Sequence, residues 1–137
     1  MSRAVSPALR TLITDRAHGC CEYCLVPDRG TFFPHEPDHI VAEQHSGETT
    51  LENLALARMQ CNRAKGTNIA SVDPETGERV FLFHPRRNVW REHFRLDGAR
   101  IVGLTAMGRA TARLLKFDDG ERVELRGALQ KGGVLSG

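Results

Sequence analysis

Residues 38–65 read DHIVAEQHSGETTLENLALARMQCNRAK, and this stretch decides the fold. It opens with an aspartate and a histidine, carries an asparagine midway, and closes with a cysteine, an asparagine and a lysine. The intervals between these residues suit a strand, a loop, a short strand and a helix. Carboxylate and amide oxygens bind hard divalent cations, and histidine transfers protons at neutral pH. The stretch therefore predicts a metal-dependent catalytic site that the rest of the chain supports.

The segments on either side of this site carry clear secondary-structure signals. Residues 6–18 predict a helix, because Ser6 can cap it, Pro7 suits its first turn and apolar residues follow at helical spacing. Residues 31–41 contain two prolines and predict an extended arm that ends in a strand. After the arm we expect a loop, a short strand and a helix at residues 42–52, 54–57 and 59–66.

The second half of the chain predicts a strand, a hairpin and two helices. Residues 80–83 are apolar and suit a strand, and Asp97-Gly98 is a typical hairpin turn. From Thr105 the apolar residues recur at helical spacing, with a break at residues 118–120. We expect the inward face of this helix pair to consist of Leu114, Leu115, Val123, Leu125 and Leu129.

Length and composition limit the kind of protein. At 137 residues, with a hydrophobic fraction of 40%, the chain suits one domain with a modest core. A net charge of +2 neither demands nor excludes nucleic acid. No apolar run approaches the roughly 18 residues of a membrane span, and the N-terminal segment lacks the features of a signal peptide. We therefore expect a cytoplasmic protein with no membrane partner, whose four cysteines are thiols or metal ligands rather than disulfides.

The cysteines predict an incomplete zinc site. Cys21 and Cys24 form a C-x2-C knuckle, which lets two thiolates reach one ion, and Cys61 offers a third. The second knuckle would need a cysteine at position 58, but Arg58 stands there and arginine does not bind zinc. Three outcomes stay open: a fourth ligand from Cys20 or His18, weak zinc binding, or a metal-free knuckle held by packing.

The polar residues of the central stretch suggest individual roles. His39 is the candidate general base, since a histidine can take a proton from water at neutral pH. Asp38 and Asn62 could offer two oxygens to one Mg²⁺ or Mn²⁺ ion, with water and a substrate phosphate completing the shell. Asn53 could fix the orientation of His39 by bonding backbone groups, and Arg63 and Lys65 could contact phosphates.

The joint pattern resembles the HNH endonuclease family, also described as ββα-metal nucleases. The resemblance rests on the knuckle and on four short motifs, which are Asp38-His39-Ile40, His45-Ser46-Gly47, Asn53-Leu54 and Cys61-Asn62 through Lys65-Gly66. These motifs span about a third of the chain, and residues 72–98 and 101–115 are similar to one prokaryotic branch of the family.

The resemblance implies an α+β fold and a reaction. The fold would be a small ββα-metal core at about residues 19–70, an N-terminal helix, an added hairpin and a C-terminal helical extension at about residues 104–131, all in a single domain. The family's activity is metal-dependent hydrolysis of phosphodiester bonds in DNA, expected here on duplex DNA. His39 would activate water, Asp38 and Asn62 would hold the catalytic cation, and Asn53 would orient His39. The product ends would be a 5′-phosphate and a 3′-hydroxyl.

The sequence departs from the family pattern at two positions. Asn62 replaces the closing histidine, which makes the chain an H-N-N variant and favours a hard catalytic metal such as magnesium or manganese. Arg58 replaces a knuckle cysteine, which weakens the case for structural zinc and could supply a phosphate contact instead. His45 in the loop, with Arg86 and Arg87 further along, are further candidate contacts to nucleic acid.

Two other functions compete with the nuclease. A noncatalytic nucleic-acid-binding module on the same scaffold would bind DNA in a salt-dependent way and cleave nothing. A zinc-ribbon-like interaction protein would bind zinc tightly and would have no affinity for DNA. The presence of Asp38, His39, Asn53 and Asn62 together weighs against both.

Overall fold

The computed structural model describes residues 5–135 and has an α+β fold. The chain folds as two compact units, Met1–Asn68 and Ile69–Gly137. The single-domain organisation expected from the sequence stays a prediction. No helix among the described residues is both long enough and apolar enough to cross a membrane.

The first unit begins with a capped helix. Helix α1 spans Pro7–Arg16, and the Ser6 hydroxyl before it accepts a hydrogen bond from the Leu9 N–H at 3.2 Å. Ile13 on this helix is fully buried and packs with Leu54 and Leu56 in one hydrophobic cluster. The predicted helix therefore forms and covers one side of the first unit's core.

The centre of the first unit is a strand, loop, strand and helix. Strand β1, Glu36–His39, pairs antiparallel with strand β2, Leu54–Ala57, so that Asp38 lies opposite Ala55. All four residues of β2 are buried, which explains their apolar and small side chains. Helix α2 follows at Met59–Lys65. The predicted ββα arrangement is therefore present.

The loop between the two strands doubles back closely on β1. It contains two short 3₁₀ turns, at Glu43–His45 and Leu51–Asn53. Gly47 is required in this loop, since a Cβ at this position would lie 1.7 Å from the carbonyl oxygen of Val41. The close approach brings the loop beside the end of β1.

The second unit combines two hairpins with helices. Phe94 is its aromatic centre, with ring centroids 5.4 Å from Phe83, 5.1 Å from Trp90 and 5.7 Å from Phe117. Two antiparallel hairpins pair residues 70–72 with 79–81 and residues 94–97 with 100–103. In chain order the elements are β3 Ala70–Val72, β4 Arg79–Phe81, α3 Trp90–His93, β5 Phe94–Asp97, β6 Arg100–Gly103, α4 Ala106–Leu114 and α5 Gly120–Lys131.

The buried face of α5 differs from the prediction. Of the five apolar residues expected to face inward, Leu115 is fully buried, whereas the others are partly exposed. Arg122 and Arg126 are the buried residues of α5. Arg126 donates to the carbonyl oxygens of Ala99, at 2.7 Å, and Phe117, while Arg122 donates to that of Leu115. These carbonyls lie outside regular pairing and need donors, so arginine takes the inward positions.

Candidate functional site

A polar cleft of about 820 Å³ lies beside the end of β1. The end of β1, the loop that follows it and the C-terminal part of α2 form its walls. Three of the predicted site residues line it together: Asp38, His39 and Asn62. Acidic loop residues, Glu43 and Glu48, line it as well. The ββα arrangement thus brings an acid, a histidine and an amide from separate parts of the sequence to one surface.

His39 is the last residue of β1 and has one anchored nitrogen. Its Nε2 lies 2.9 Å from the Thr49 hydroxyl oxygen and 3.8 Å from a carboxylate oxygen of Glu43. The side chain is 18% exposed, so it is held by its neighbours yet still reaches the cleft. A histidine in this setting can exchange a proton with a molecule in the cleft.

Asn53 ties the loop to the end of β1. Its side-chain oxygen accepts from the Val41 N–H at 2.9 Å, and its Nδ2 donates to the carbonyl oxygens of Val41 at 2.9 Å and Glu48 at 2.8 Å. Its own backbone carbonyl accepts from the Ile40 N–H at 2.8 Å. These bonds cross-link the residues that follow His39 to the far part of the loop. The orienting role of Asn53 toward His39 stays a prediction.

Asp38 is more buried than an open metal ligand would be. It is 4% exposed, accepts from the Tyr23 hydroxyl at 2.8 Å, and lies 3.3 Å from the Lys65 ammonium nitrogen. Burial raises the pKa of Asp38, and the Lys65 charge and the Tyr23 hydrogen bond act in the opposite direction. The negative charge of this carboxylate is therefore balanced by buried side chains of the protein.

Lys65 corrects one prediction. Its side chain is 2% exposed, and its ammonium also donates to the His39 carbonyl oxygen at 3.1 Å. A buried ammonium already engaged with a carboxylate and a carbonyl cannot reach a phosphate at the surface. Lys65 instead supports the two adjacent residues of β1.

Asn62 is held in one orientation by a residue that the sequence did not single out. Its Nδ2 donates to a carboxylate oxygen of Glu36 at 2.8 Å. Because the amide nitrogen is committed to Glu36, the amide oxygen is the atom left to accept. With the carboxylate of Asp38, which has lone pairs beyond those used by Tyr23 and Lys65, this donor set fits a hard cation such as Mg²⁺ or Mn²⁺.

Three cysteines form a buried thiol cluster. The sulfur atoms of Cys21, Cys24 and Cys61 lie within 4.8 Å of one another, and all three residues are fully buried. The Cys24 N–H donates to the Cys21 sulfur at 3.4 Å, and burial raises the pKa of Cys21 to about 12. All four cysteines lie in the described part of the chain, and none forms a disulfide. Soft sulfur ligands at this spacing fit zinc, which would have to displace the thiol protons.

The fourth position of this cluster has no ligand among the described residues. Cys20 and His18 do not join it, so a fourth ligand from either is not supported. Arg58 is 6% exposed, and its Nε and Nη1 atoms have no hydrogen-bond partner within residues 5–135. The proposed phosphate contact by Arg58 is therefore wrong for this structure, since the side chain is withdrawn from the surface.

The remaining predicted DNA contacts lie on the surface or in the second unit. Arg63 on α2 and His45 in the loop are exposed, although His45 does not line the cleft. In the second unit Arg87 is exposed and Arg86 is partly buried, with its backbone N–H donating to His84 Nδ1 at 3.2 Å. All four remain candidate contacts.

Several residues that shape the site were missed from the sequence. Glu36 precedes Asp38 by two positions, so strand periodicity places both side chains on one face of β1. This spacing is the signal in the sequence that could have identified Glu36. Glu43 follows His39 by four positions, but the intervening loop gave no reason to pair them. Tyr23 and Thr49 are brought in by tertiary folding, and no local pattern points to them.

Comparison with known proteins supports a family for this region. The family model described as HNH endonuclease matches residues 21–68, which include the thiol cluster, β1, the loop, β2 and α2. No curated protein and no solved structure matches the chain significantly. Residues 21–68 therefore match an HNH endonuclease domain, and the motifs of that domain lie on the ββα arrangement described above.

Proposed function

We propose that the protein is a metal-dependent endonuclease that hydrolyses phosphodiester bonds in duplex DNA. The observation that carries the proposal is the cleft in which His39, Asp38 and Asn62 meet at the junction of β1 and α2. A proton acceptor beside hard oxygen donors is what hydrolysis of a phosphodiester requires. The HNH domain supports a nuclease or nucleic-acid-binding function in general, and the cleft favours the nuclease.

The chain's own residues would divide the work as follows. His39 accepts the proton of the attacking water, while Asn53 keeps the loop beside it. Asp38 and Asn62 would hold one Mg²⁺ or Mn²⁺ ion, which when bound stabilises negative charge on the scissile phosphate and the leaving oxygen. Exposed Arg63 would bind the DNA backbone. The products would carry a 5′-phosphate and a 3′-hydroxyl.

The test is plasmid cleavage with a series of divalent metals. We expect His39→Ala to lower cleavage by about 100-fold or more, the usual contribution of a general base. The matched control is His18→Asn, because His18 lies outside the cleft and has a positive φ of 54° that asparagine tolerates. Full activity in the His39 variant, or equal losses in both variants, would rule out the assignment.

One observation favours a noncatalytic nucleic-acid-binding module as the second candidate. The Lys65 ammonium already balances the Asp38 carboxylate, which lowers the need for a cation there. This alternative predicts salt-dependent DNA binding with no cleavage under any divalent metal. Calorimetric titration with Mn²⁺ separates the two, because only the nuclease needs a cation bound in the cleft.

Structural zinc on Cys21, Cys24 and Cys61 is part of the proposal. Three converging thiols and a backbone N–H donated to one of the sulfurs support it. Zinc would brace the knuckle against β2 and α2 without taking part in the reaction. Because arginine stands at position 58, the site would hold zinc through three protein thiolates.

A further inference from the structure

Two aromatic side chains project into solvent from the segment that precedes β1. Phe32 is 92% exposed and Phe33 is 54% exposed, although phenylalanine is usually a buried residue. Their ring centroids are 4.9 Å apart and the ring planes meet at 76°, so the two rings touch edge to face. At its exposure the Phe32 ring keeps a face open to solvent. This pair, the aromatic tip, is therefore a candidate contact surface.

The backbone that carries the aromatic tip is held by hydrogen bonds. The Thr31 hydroxyl oxygen lies 2.9 Å from the carbonyl oxygen of Asp28 and 2.8 Å from that of Phe33. The His35 N–H donates to a carboxylate oxygen of Asp28 at 2.9 Å, and Nε2 of the buried His35 ring lies 2.7 Å from the Val26 carbonyl oxygen. A surface fixed in this way loses little conformational freedom when it binds a ligand.

A positive charge stands beside the aromatic tip. Arg29 is exposed, and its guanidinium forms no hydrogen bond or ion pair with any of residues 5–135. Arg29 and Phe32 both line an open hollow of about 470 Å³. Asp28 also lines the hollow, but one of its carboxylate oxygens accepts from the His35 N–H. A free cation next to an open ring suits a ligand that is both aromatic and anionic, as a nucleotide is.

The size of the aromatic tip favours such a ligand over a protein partner. A stable protein interface buries about 800 Å² on each partner. Two phenylalanine side chains offer at most about 500 Å² even when they are buried completely. A nucleobase needs far less, since it can stack on the face of one aromatic ring.

The aromatic tip and the cleft belong to the same unit and are close along the chain. His39 follows Phe33 by six positions, and both lie within Met1–Asn68. An extended chain advances at most about 3.6 Å per residue, so the Cα atoms of these two residues are at most about 22 Å apart. Along one DNA strand, which rises about 3.4 Å per nucleotide, this distance corresponds to about six nucleotides. A strand bound at the cleft can therefore also reach the aromatic tip.

We propose that the aromatic tip is a second nucleic-acid contact, at which Phe32 stacks on a nucleobase that lacks a stacked neighbour and Arg29 binds an adjoining phosphate. Such bases occur at bulges and in single-stranded segments, because a fully paired duplex covers both faces of each internal base. The inference rests on the proposed function for its substrate, DNA. It adds a preference within that class, for DNA that carries an unpaired base.

The experiment measures binding of the full chain to two fluorescent oligonucleotides, with no divalent metal added. One is a fully paired duplex, and the other is the same duplex with a single unpaired adenine. Fluorescence anisotropy at one fixed salt concentration gives the two Kd values. We expect the wild type to bind the bulged DNA about 10-fold more tightly, the size of one stacking contact. Phe32→Ala should abolish this preference without weakening binding to the paired duplex, and Phe32→Trp should retain it, because the larger ring still stacks.

Two further variants serve as controls. Phe81→Ala also removes an exposed phenylalanine, 69% exposed, but from β4 in the second unit, and it should leave both Kd values unchanged. Arg29→Ala should weaken binding to both DNAs and lower the slope of log Kd against log salt by about one, as the loss of one phosphate contact does. Every side chain replaced is exposed, so each variant should keep the wild-type midpoint of urea unfolding.

Equal affinity of the wild type for the two DNAs would overturn the inference, as would an unchanged preference in Phe32→Ala. Self-association that Phe32→Ala abolishes, measured by light scattering, with no change in DNA binding would also overturn it, because the tip would then join copies of the chain. The two proposals fail separately. A chain that cleaves no DNA with any metal, yet prefers the bulge through Phe32, contradicts the nuclease and keeps the inference. Cleavage without that preference does the opposite.

Discussion

The Asp38 carboxylate is balanced by two buried side chains. Tyr23 donates to it at 2.8 Å, and the Lys65 ammonium lies 3.3 Å from the same oxygen. An isolated buried carboxylate would be strongly unfavourable, so these partners make its position beside the cleft tolerable. Burial also raises the pKa of Tyr23, which keeps its hydroxyl a donor. The position of Asp38 therefore depends on two residues that do not line the cleft.

Arg58 gives a prediction at the scale of one residue. Changing Arg58 to Cys completes a second C-x2-C knuckle with Cys61 opposite Cys21 and Cys24. We expect zinc affinity to rise by at least about 100-fold, the size of effect that even an outer-shell partner can have. Competition with a chromophoric zinc chelator measures this affinity.

The control for this prediction is Arg58→Ala. It removes a buried charge whose Nε and Nη1 have no partner in the described part of the chain, but it adds no ligand. Its zinc affinity should stay near that of the wild type. Equal gains in the alanine and cysteine variants would show that the arginine charge, and not the missing thiolate, limits zinc binding.

Residue type and spacing in the sequence identify residues that the fold brings together. They do not reveal which side chains become buried, so predictions that depend on exposure mislead. The cysteines and the Asp38, His39 and Asn62 group were identified by residue type and spacing, and each group converges in the structure. Lysine and arginine are usually surface residues, so the sequence predicts phosphate contacts for Lys65 and Arg58. Their burial depends on tertiary packing, which local sequence does not contain.

At the scale of elements, the loop between β1 and β2 is the part that shapes the cleft. It carries Glu43 and Thr49 to His39, and Asn53 closes it. The ββα elements were predictable because each has a local signal: two prolines before the end of β1, an apolar run for β2 and a glycine after α2. The path of the loop was not predictable, because it is set by tertiary contacts that no local pattern records.

Gly47 gives the prediction for this element. Changing Gly47 to Ala places a methyl group 1.7 Å from the Val41 carbonyl oxygen and 2.9 Å from that of Ala42, so the loop must move away from β1. We expect the free energy of unfolding to fall by about 1–3 kcal/mol, as for other overpacked sites. Urea denaturation measures it, and DNA cleavage should fall in parallel as the loop shifts.

The comparison variant is Gly120→Ala. Gly120 opens α5, has no positive φ, and a Cβ there meets nothing within 4 Å. Alanine favours helix, so this change should be neutral or slightly stabilising. A Gly47 variant as stable as the Gly120 variant would mean that the loop tolerates displacement from β1.

At the scale of the whole molecule, the chain carries one intrinsic probe in each unit. Tyr23, the single tyrosine, lies in the first unit, and Trp90, the single tryptophan, lies in the second and packs on Phe94. Selective excitation of Trp90 therefore follows the second unit. A probe that reports on one unit is useful because the aspartates of the two units differ. The pKa of buried Asp38 in the first unit is raised, and the pKa of Asp73 in the second unit is lowered.

These opposite pKa shifts give opposite responses to acid. For Asp38 the folded protein holds its proton more tightly than the unfolded chain, so this group's contribution to stability decreases as pH rises above the unfolded pKa. For Asp73 the unfolded chain holds the proton more tightly. Its contribution is present above the ordinary aspartate pKa of 3.8 and is lost as pH falls below it.

Asp73 therefore supplies the prediction for the second unit. Arg109 donates to both of its carboxylate oxygens, at 2.9 and 2.8 Å, and this pair holds the pKa of Asp73 well below its usual range. We expect the urea midpoint followed by Trp90 fluorescence to fall as pH drops from about 5 to about 2. Asp73→Asn should lower the midpoint at neutral pH and flatten this acid dependence, because the titrating carboxylate is gone.

Asp97→Asn removes an exposed carboxylate of β5 and should keep the wild-type acid dependence. An unchanged slope in Asp73→Asn would show that another group, and not the Asp73–Arg109 pair, ties the second unit's stability to pH.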